Sequence, residues 1–236
     1  MQPKDRIIVA LDVDQIDRVA PLVDELHPYV GCFKVGLELL TAAGAPLVVK
    51  LVHEHGGKVF FDGKFDDIPN TVGAASRAVA SLGVSLFNVH ASAGLEAIRA
   101  ASQNKGRSRL LAVTVLTSHT EESCRRVFGV SPLEKVIAFA ADAAQAGADG
   151  IVCSPKELQA LSKEPKLKGL LKVTPGVRPA WAETDDQKRV LSPIEAIQMG
   201  ADLLVIGRPI LRPPKEIGSP VEAAKRIADE IAKGKS

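Results

Sequence analysis

Charged residues of both signs stand in or at the end of three short apolar runs in the first seventy residues. Asp12 ends RIIVALD, Lys34 lies within CFKVG, and Asp62 and Lys64 end KVFFDGK. Residues two apart on an extended strand point to the same face, and neighbouring strands about 5 Å apart bring Lys34 beside Asp62. Buried charges are costly unless they pair or take part in chemistry. The spacing predicts a mixed charge cluster, either a structural ion network or a proton-transfer site without a metal.

The elements that must position these charges recur along the whole chain. Apolar runs rich in β-branched residues return at intervals of about thirty residues, the size of a βα unit. They are nearly continuous rather than alternating, as is typical of parallel strands buried on both faces. The eight runs begin at Arg6, Cys32, Lys58, Leu86, Leu110, Gly150, Leu170 and Leu203.

Helical patterns separate the strands, and the first is predicted over residues 15–26. The tetrapeptide Ser-Pro-x-Glu combines an N-cap, a first-turn proline and the acidic partner of a capping box. It starts at Ser131, Ser154, Ser192 and Ser219. The last helix is predicted to bury one stripe, made of Val221, Ala224, Ala228 and Ile231.

Eight strands alternating with helices, without a linker, predict an α/β fold: a closed (β/α)8 TIM barrel that forms a single catalytic domain over residues 1–236. Length alone also allows two ordinary domains. A doubly wound open sheet is the other alternative. It would usually need fewer strands and a glycine-rich first turn, and the first strand is followed by no GxGxxG.

Barrel enzymes carry their chemistry at the carboxyl ends of the strands and commonly bind phosphate after strands seven and eight. Gly207 and Arg208 follow the eighth run. Glycine allows close backbone approach, and an arginine offers a planar fork to phosphate oxygens. The alternative interpretation of Arg208 is a surface ion pair. The polar residues 179–191 could close over the phosphate as a lid.

Composition argues against other classes of protein. The net charge is +2 and aromatic residues make up 4%, which favours neither nucleic acid nor membrane as a partner. No apolar run has the length of a membrane span, and the charged start MQPKDR does not resemble a secretory signal. The cysteines have no zinc spacing, so we expect reduced packing residues in a cytoplasmic protein that holds no metal. They are Cys32, Cys124 and Cys153.

The segment DGKFDDIPNT, from Asp62 to Thr71, resembles the D-x-K-x-x-D-I-P-N-T signature of the orotidine 5'-phosphate decarboxylase family. Segments in the other strands are similar to that family in the same order. They are ALD from Ala10, KVG from Lys34, NVHAS from Asn88, TVLTS from Thr114, VTPGVRP from Val173, DQKR from Asp186 and IGRP from Ile206.

The resemblance implies decarboxylation of orotidine monophosphate to uridine monophosphate in pyrimidine biosynthesis, without a cofactor. It implies a catalytic tetrad of alternating charge, made of Lys34, Asp62, Lys64 and Asp67. The Lys64 ammonium would stabilise the carbanion at pyrimidine C6 and then protonate it. Asp62 would lie against the substrate carboxylate, a repulsion relieved as carbon dioxide leaves.

The family's substrate contacts and assembly carry over in the same way. Asp12 and Lys34 would hold the ribose hydroxyls, and Thr117 would hold the pyrimidine. Asp67 and Thr71 would reach the active site of the other subunit, which implies a homodimer. The phosphate would be bound by Arg178, Gln187, the backbone of Gly207, and Arg208.

Two positions depart from the family pattern. Asp66 stands where histidine is common, and Gly63 stands where a larger apolar residue is usual. A metal-dependent sugar-phosphate decarboxylase or aldolase shares D-x-K-x-x-D, but the following IPNT argues against it. A phosphate-sugar isomerase would want a carboxylate or cysteine base, and a non-catalytic nucleotide-binding barrel would not need charge at a reacting carbon.

Overall fold

The structure, a computed structural model, describes residues 1–182 and 191–234, and all eight predicted strands are present. They follow one another as neighbours in a closed barrel, with β8 returning to β1, so the predicted TIM-barrel fold is confirmed. The strands are β1 (Ile7–Ala10), β2 (Cys32–Val35), β3 (Val59–Phe65), β4 (Leu86–His90), β5 (Arg109–Val113), β6 (Gly150–Val152), β7 (Leu171–Pro175) and β8 (Leu203–Ile206).

Helices follow the strands in the chain. The α-helices are α1 (Val19–Leu26), α2 (Leu37–Ala43), α3 (Ala45–Glu54), α4 (Pro69–Ser81), α5 (Leu95–Gln103), α6 (Glu121–Phe128), α7 (Pro132–Gln145), α8 (Leu158–Lys163), α9 (Pro193–Gln198), α10 (Arg208–Leu211) and α11 (Pro220–Lys233). Short 3-10 helices span Lys4–Arg6, Ile16–Arg18, Ala91–Ala93, Pro155–Glu157 and Pro165–Leu167. None of the described helices is long and apolar enough to cross a membrane.

The chain groups into two compact units, one made of Met1–Gly63 with the described residues from Thr174 onward, the other of Lys64–Val173. In the first unit, β1 pairs in parallel with both β2 and β8, and all four of its residues are buried. In the second, β4 to β7 pair in parallel around apolar side chains such as Phe87, Leu110 and Ile151, which are fully buried. That residues 1–236 act as one catalytic domain stays a prediction.

The four Ser-Pro-x-Glu tetrapeptides all cap helices, but not identically. At Ser131, Ser154 and Ser192 the serine accepts a backbone N–H and the glutamate accepts the serine N–H in return. Ser219 accepts the N–H of Glu222, and the Glu222 carboxylate pairs with Lys225 at 3.1 Å. The tetrapeptide at Ser154 opens a 3-10 turn before α8, so the motif marks helix starts without fixing the helix type.

The glutamates of the three capping boxes differ in pKa because they differ in burial. Hydrogen bonds from Ser131 and Ser192 hold the pKa of Glu134 and of Glu195 below the ordinary value. Glu157 receives the same bond, from the Ser154 N–H at 2.6 Å, but burial outweighs it and raises its pKa to about 7. One sequence motif therefore places carboxylates in opposite electrostatic environments.

Details of two helices differ from the prediction. The helix expected from residue 15 begins with the 3-10 turn Ile16–Arg18 and becomes α-helical only at Val19. On α11 the predicted stripe was half right, because Ala224 and Ile231 are buried while Val221 and Ala228 are half-buried. The helix carries small or apolar residues on two adjacent stripes, and the buried one also contains Ala223 and Ile227.

The three cysteines are free and buried, as the packing interpretation requires. Burial raises the pKa of Cys32 to about 12, so its sulfur stays a thiol at neutral pH.

Candidate active site

Strand register brings two carboxylates to one ammonium in the first unit. Lys34 on β2 pairs with Ala10 of β1 on one side and with Phe60 of β3 on the other. Asp12 and Asp62 each stand two residues beyond those partners, so both lie ahead of Lys34 along the strands. The Lys34 Nζ is 3.0 Å from Asp12 Oδ1 and 3.4 Å from Asp62 Oδ2.

The three side chains of the cluster differ in solvent exposure. The side chains of Lys34 and Asp62 are 13% and 11% exposed, whereas that of Asp12 is 60% exposed. A buried ion pair requires close geometry to offset the desolvation of both charges, and Lys34 meets a carboxylate on each side. Asp12 is therefore the member best placed to exchange its contact for one with a polar ligand.

Two glycines leave room around this cluster. A Cβ at Gly36 would lie 2.9 Å from Lys34 Nζ, so a side chain there would displace the ammonium. A Cβ at Gly207, directly after β8, would lie 3.3 Å from Ala10 Cβ and 3.5 Å from Asp12 Oδ2. The backbone of Gly207 thus lies beside Asp12 with no side chain between them.

The departure at Gly63 has a packing explanation. A Cβ at this position would overlap Cε1 of Phe61, two residues earlier on β3. The ring of Phe61 is nearly fully buried and occupies the space that a larger residue at position 63 would need. The glycine at position 63 therefore makes room for the Phe61 ring, which a larger residue would have to displace.

Lys64 follows Gly63 in an unusual backbone conformation. Its φ is +50°, and it is the sole non-glycine residue among those described with a positive φ. That region costs an L-residue of the order of 1–2 kcal/mol. The prediction that Asp62 and Lys64 point to the same face assumed an extended backbone at both residues. The backbone of Lys64 is not extended, so the alternation rule does not apply to its side chain. The backbone N–H of Lys64 donates to Asn88 Oδ1 at 2.8 Å.

The residues after β3 are exposed. Asp66 Oδ2 accepts a hydrogen bond from Ser92 Oγ at 3.0 Å, and Asp67 Oδ1 accepts one from the Ile68 N–H at 2.6 Å. Thr71 lies in the first turn of α4 and is also exposed, while Ile68 between them is 65% exposed. An exposed carboxylate, hydroxyl and apolar side chain therefore lie together at the start of α4.

A basic cavity of about 650 Å³ lies in the first unit and is lined by both predicted phosphate-binding arginines. Arg178 follows β7 and Arg208 follows β8. Sequence reasoning missed two further cations, Arg212 and Lys215, although RPILRPPK puts them only four and seven residues after Arg208. The remaining lining is Trp181, Ala182, Pro209, Pro213, Pro214 and Glu216.

The other predicted contacts are less defined by the geometry. Thr117 is exposed in the turn after β5. Gln187 and most of the predicted lid, residues 183–190, lie outside the described residues. In the stretches 1–182 and 191–234, no group of His, Cys, Asp and Glu is arranged to hold a metal ion.

Comparison with known proteins gives the family. Residues 5–227 match the model of the Orotidine 5'-phosphate decarboxylase / HUMPS family. The chain is 48% identical to the orotidine 5'-phosphate decarboxylase of Moorella thermoacetica, covering 98% of this chain and 94% of the relative. It is 47% identical to that of Geotalea daltonii, covering 97% of each.

A solved structure agrees with these sequences. Orotidine 5'-phosphate decarboxylase from Lactobacillus acidophilus superimposes with a TM-score of 0.81 at 33% identity, covering 95% of this chain and 98% of that one. Fold, matched length and identity all point the same way, and the chain belongs to the Orotidine 5'-phosphate decarboxylase / HUMPS family.

Proposed function

We propose that this chain is a carboxy-lyase that converts orotidine 5'-phosphate to uridine 5'-phosphate in pyrimidine biosynthesis, without a metal or organic cofactor. The observation that carries the proposal is the order of charges along β3 and its neighbour. Lys34 Nζ contacts Asp62, and Lys64 and Asp67 follow Asp62 in the family's spacing. The names of relatives that match nearly the full chain support the same reaction.

Lys64 is the proposed source of both charge and proton. The bond between C6 and the carboxylate carbon breaks, its electron pair stays on C6, and carbon dioxide leaves. A fixed ammonium stabilises that developing negative charge more effectively than water, because it needs no reorganisation. Lys64 then gives a proton to C6 and regains one from solvent. Asp62, held by Lys34, would repel the substrate carboxylate. That repulsion would end when carbon dioxide leaves, which favours the reaction.

The binding roles are proposed from the family resemblance, and the positions of the described groups support some of them. Asp12 and Lys34 are proposed to hold the ribose hydroxyls, which is consistent with the open position of Asp12. Arg178, Arg208 and the backbone of Gly207 would take the phosphate, and the basic cavity supports this. Thr117 is proposed to contact the pyrimidine, and Gln187 the phosphate.

We further propose a cytoplasmic homodimer in which Asp67 and Thr71 complete the partner's site. The exposure of both residues and of Ile68 is compatible with such a contact. The chief alternative function is a metal-dependent sugar-phosphate decarboxylase or aldolase, and the first experiment below separates the two.

The central test replaces Lys64 with alanine. Its control variant replaces Lys58, a lysine outside the charge cluster. With orotidine monophosphate and excess chelator, wild-type protein should turn over, since no step uses a metal. Lys64→Ala should lose roughly 10³-fold or more in kcat while still binding uridine monophosphate. Lys58→Ala, which removes an exposed lysine just before β3, should leave kcat unchanged. Loss of wild-type activity in chelator would favour the metal-dependent alternative, and near-normal turnover by Lys64→Ala would end the mechanism.

The phosphate assignment predicts a dependence on the substrate's own phosphate. Binding energy from a group that does not react helps to position the reacting part. Arg208→Ala should therefore reduce kcat/KM for orotidine monophosphate by at least about 100-fold, but should hardly change the slow reaction of orotidine without phosphate. An equal loss on both substrates would contradict the assignment of Arg208.

The shared site can be tested by mixing two inactive chains, Lys64→Ala and Asp67→Ala. If Asp67 acts in the partner's site, each mixed dimer has one site with both defects and one intact site. Random exchange makes about half of the dimers mixed, so about a quarter of wild-type activity should return. Differently tagged chains purified in tandem would prove that exchange occurred. Verified mixed dimers that stay inactive would refute the trans role of Asp67.

A further inference from the structure

Two buried side chains of β4 contact the proposed catalytic lysine and the residue that follows it. The N–H of Lys64 donates to Asn88 Oδ1 at 2.8 Å, and the ring of the next residue, Phe65, packs against Phe87 with centroids 6.3 Å apart. Phe87 and Asn88 are consecutive on β4, and they are 0% and 1% exposed. Both contacts therefore come from buried residues of the second unit.

In the hydrogen bond between Lys64 and Asn88, the asparagine side chain is the acceptor. The donor is a backbone N–H, so the side-chain atom that faces it must be the amide oxygen. Asn88 is itself fixed, because β4 pairs with β5 and Asn88 stands opposite Leu111. A buried polar side chain requires a hydrogen-bonding partner, and the backbone N–H of Lys64 supplies one.

The backbone conformation of Lys64 decides where its side chain starts. With φ at +50°, the Cα–Cβ bond leaves the strand in a different direction from that of an extended residue. A lysine in this conformation persists only where its surroundings hold it there. The bond from Asn88 acts on the N–H next to that φ angle and so restrains the direction of the Lys64 side chain.

We propose that Asn88 is a positioning residue: by accepting the backbone N–H of Lys64, it holds the lysine in its left-handed conformation and so aims the ammonium at the reacting carbon. This rests on the proposed role of Lys64 as the proton donor. Asn88 needs no contact with the nucleotide. The chemical step should therefore depend on it, whereas ground-state binding should not.

The test compares two substitutions similar in size to asparagine. Asn88→Leu removes the acceptor, and Asn88→Asp keeps an oxygen where the N–H needs one. Misplacement of a reacting group by about 1 Å costs on the order of 100-fold, so kcat of Asn88→Leu should fall by about that factor. Its KM and its dissociation constant for uridine monophosphate should stay within about threefold of wild type. Asn88→Asp should recover at least about a tenth of wild-type kcat.

A matched control separates positioning from a general loss of stability. Ser108, buried before β5, donates to the Val84 carbonyl at 2.6 Å, and Ser108→Ala removes this buried bond without touching Lys64. Its kcat should be unchanged even if its melting temperature falls. If Asn88→Leu does not fold, Asn88→Ala serves as the variant without an acceptor.

The possible outcomes keep the two proposals distinct. Normal kcat in Asn88→Leu, with Lys64→Ala inactive, overturns the role of Asn88 and leaves the proposed function standing. Loss of nucleotide affinity with normal kcat, or equal losses of kcat in Asn88→Asp and Asn88→Leu, likewise refutes positioning through the acceptor. Normal turnover by Lys64→Ala instead refutes the catalytic role of Lys64 on which the positioning role rests, and only a wild-type protein that fails to turn over orotidine monophosphate removes the proposed function.

Discussion

The need to pair charge at buried strand ends constrains the rest of the site. Lys34 is largely buried on β2, and its ammonium is neutralised from both sides by Asp12 and Asp62. That arrangement exists because β1, β2 and β3 are parallel and in a register that sets both acids two residues beyond the partners of Lys34. A Cβ at Gly36 would press on the ammonium and shift it, so the glycine leaves the ammonium in place between the two acids. The strand register and this glycine together allow the ion cluster, whose open member is Asp12.

The same strand that supplies Asp62 changes conformation directly after it. Phe61 fills the space beside Gly63, and Lys64 then adopts a left-handed φ while its N–H is bound by Asn88. In a regular strand the alternation of the pleat determines the direction of a side chain. At Lys64 the left-handed backbone and its hydrogen bond to Asn88 determine that direction instead. A strained residue of this kind persists only where its surroundings hold it. Precise placement is also what the role proposed for Lys64, at a developing carbanion, would require.

Most of the fold was predictable from the sequence because each strand lies in a nearly continuous apolar run, and even the three-residue β6 was recognisable. The contact between Lys34 and Asp62 was predictable because both lie in consecutive apolar runs, and neighbouring strands are about 5 Å apart. The conformation of Lys64 was not, because pattern rules assume regular backbone and no residue type announces a left-handed lysine. Asn88 was noted only as part of a family-like segment, since its role depends on that conformation. Arg212 could have been found by its spacing from Arg208.

The claim that a cation stands at the reacting carbon can be tested by binding alone. A uridine monophosphate analogue with an anionic oxygen on C6 places negative charge where the transition state develops it, and such analogues bind more tightly than the ground state by about 100-fold or more. The measurement is the ratio of the dissociation constants of uridine monophosphate and this analogue, in wild type and in Lys64→Ala. The account predicts a ratio of at least about 100 in wild type that falls to near one in the variant. An equal ratio in both proteins would contradict it.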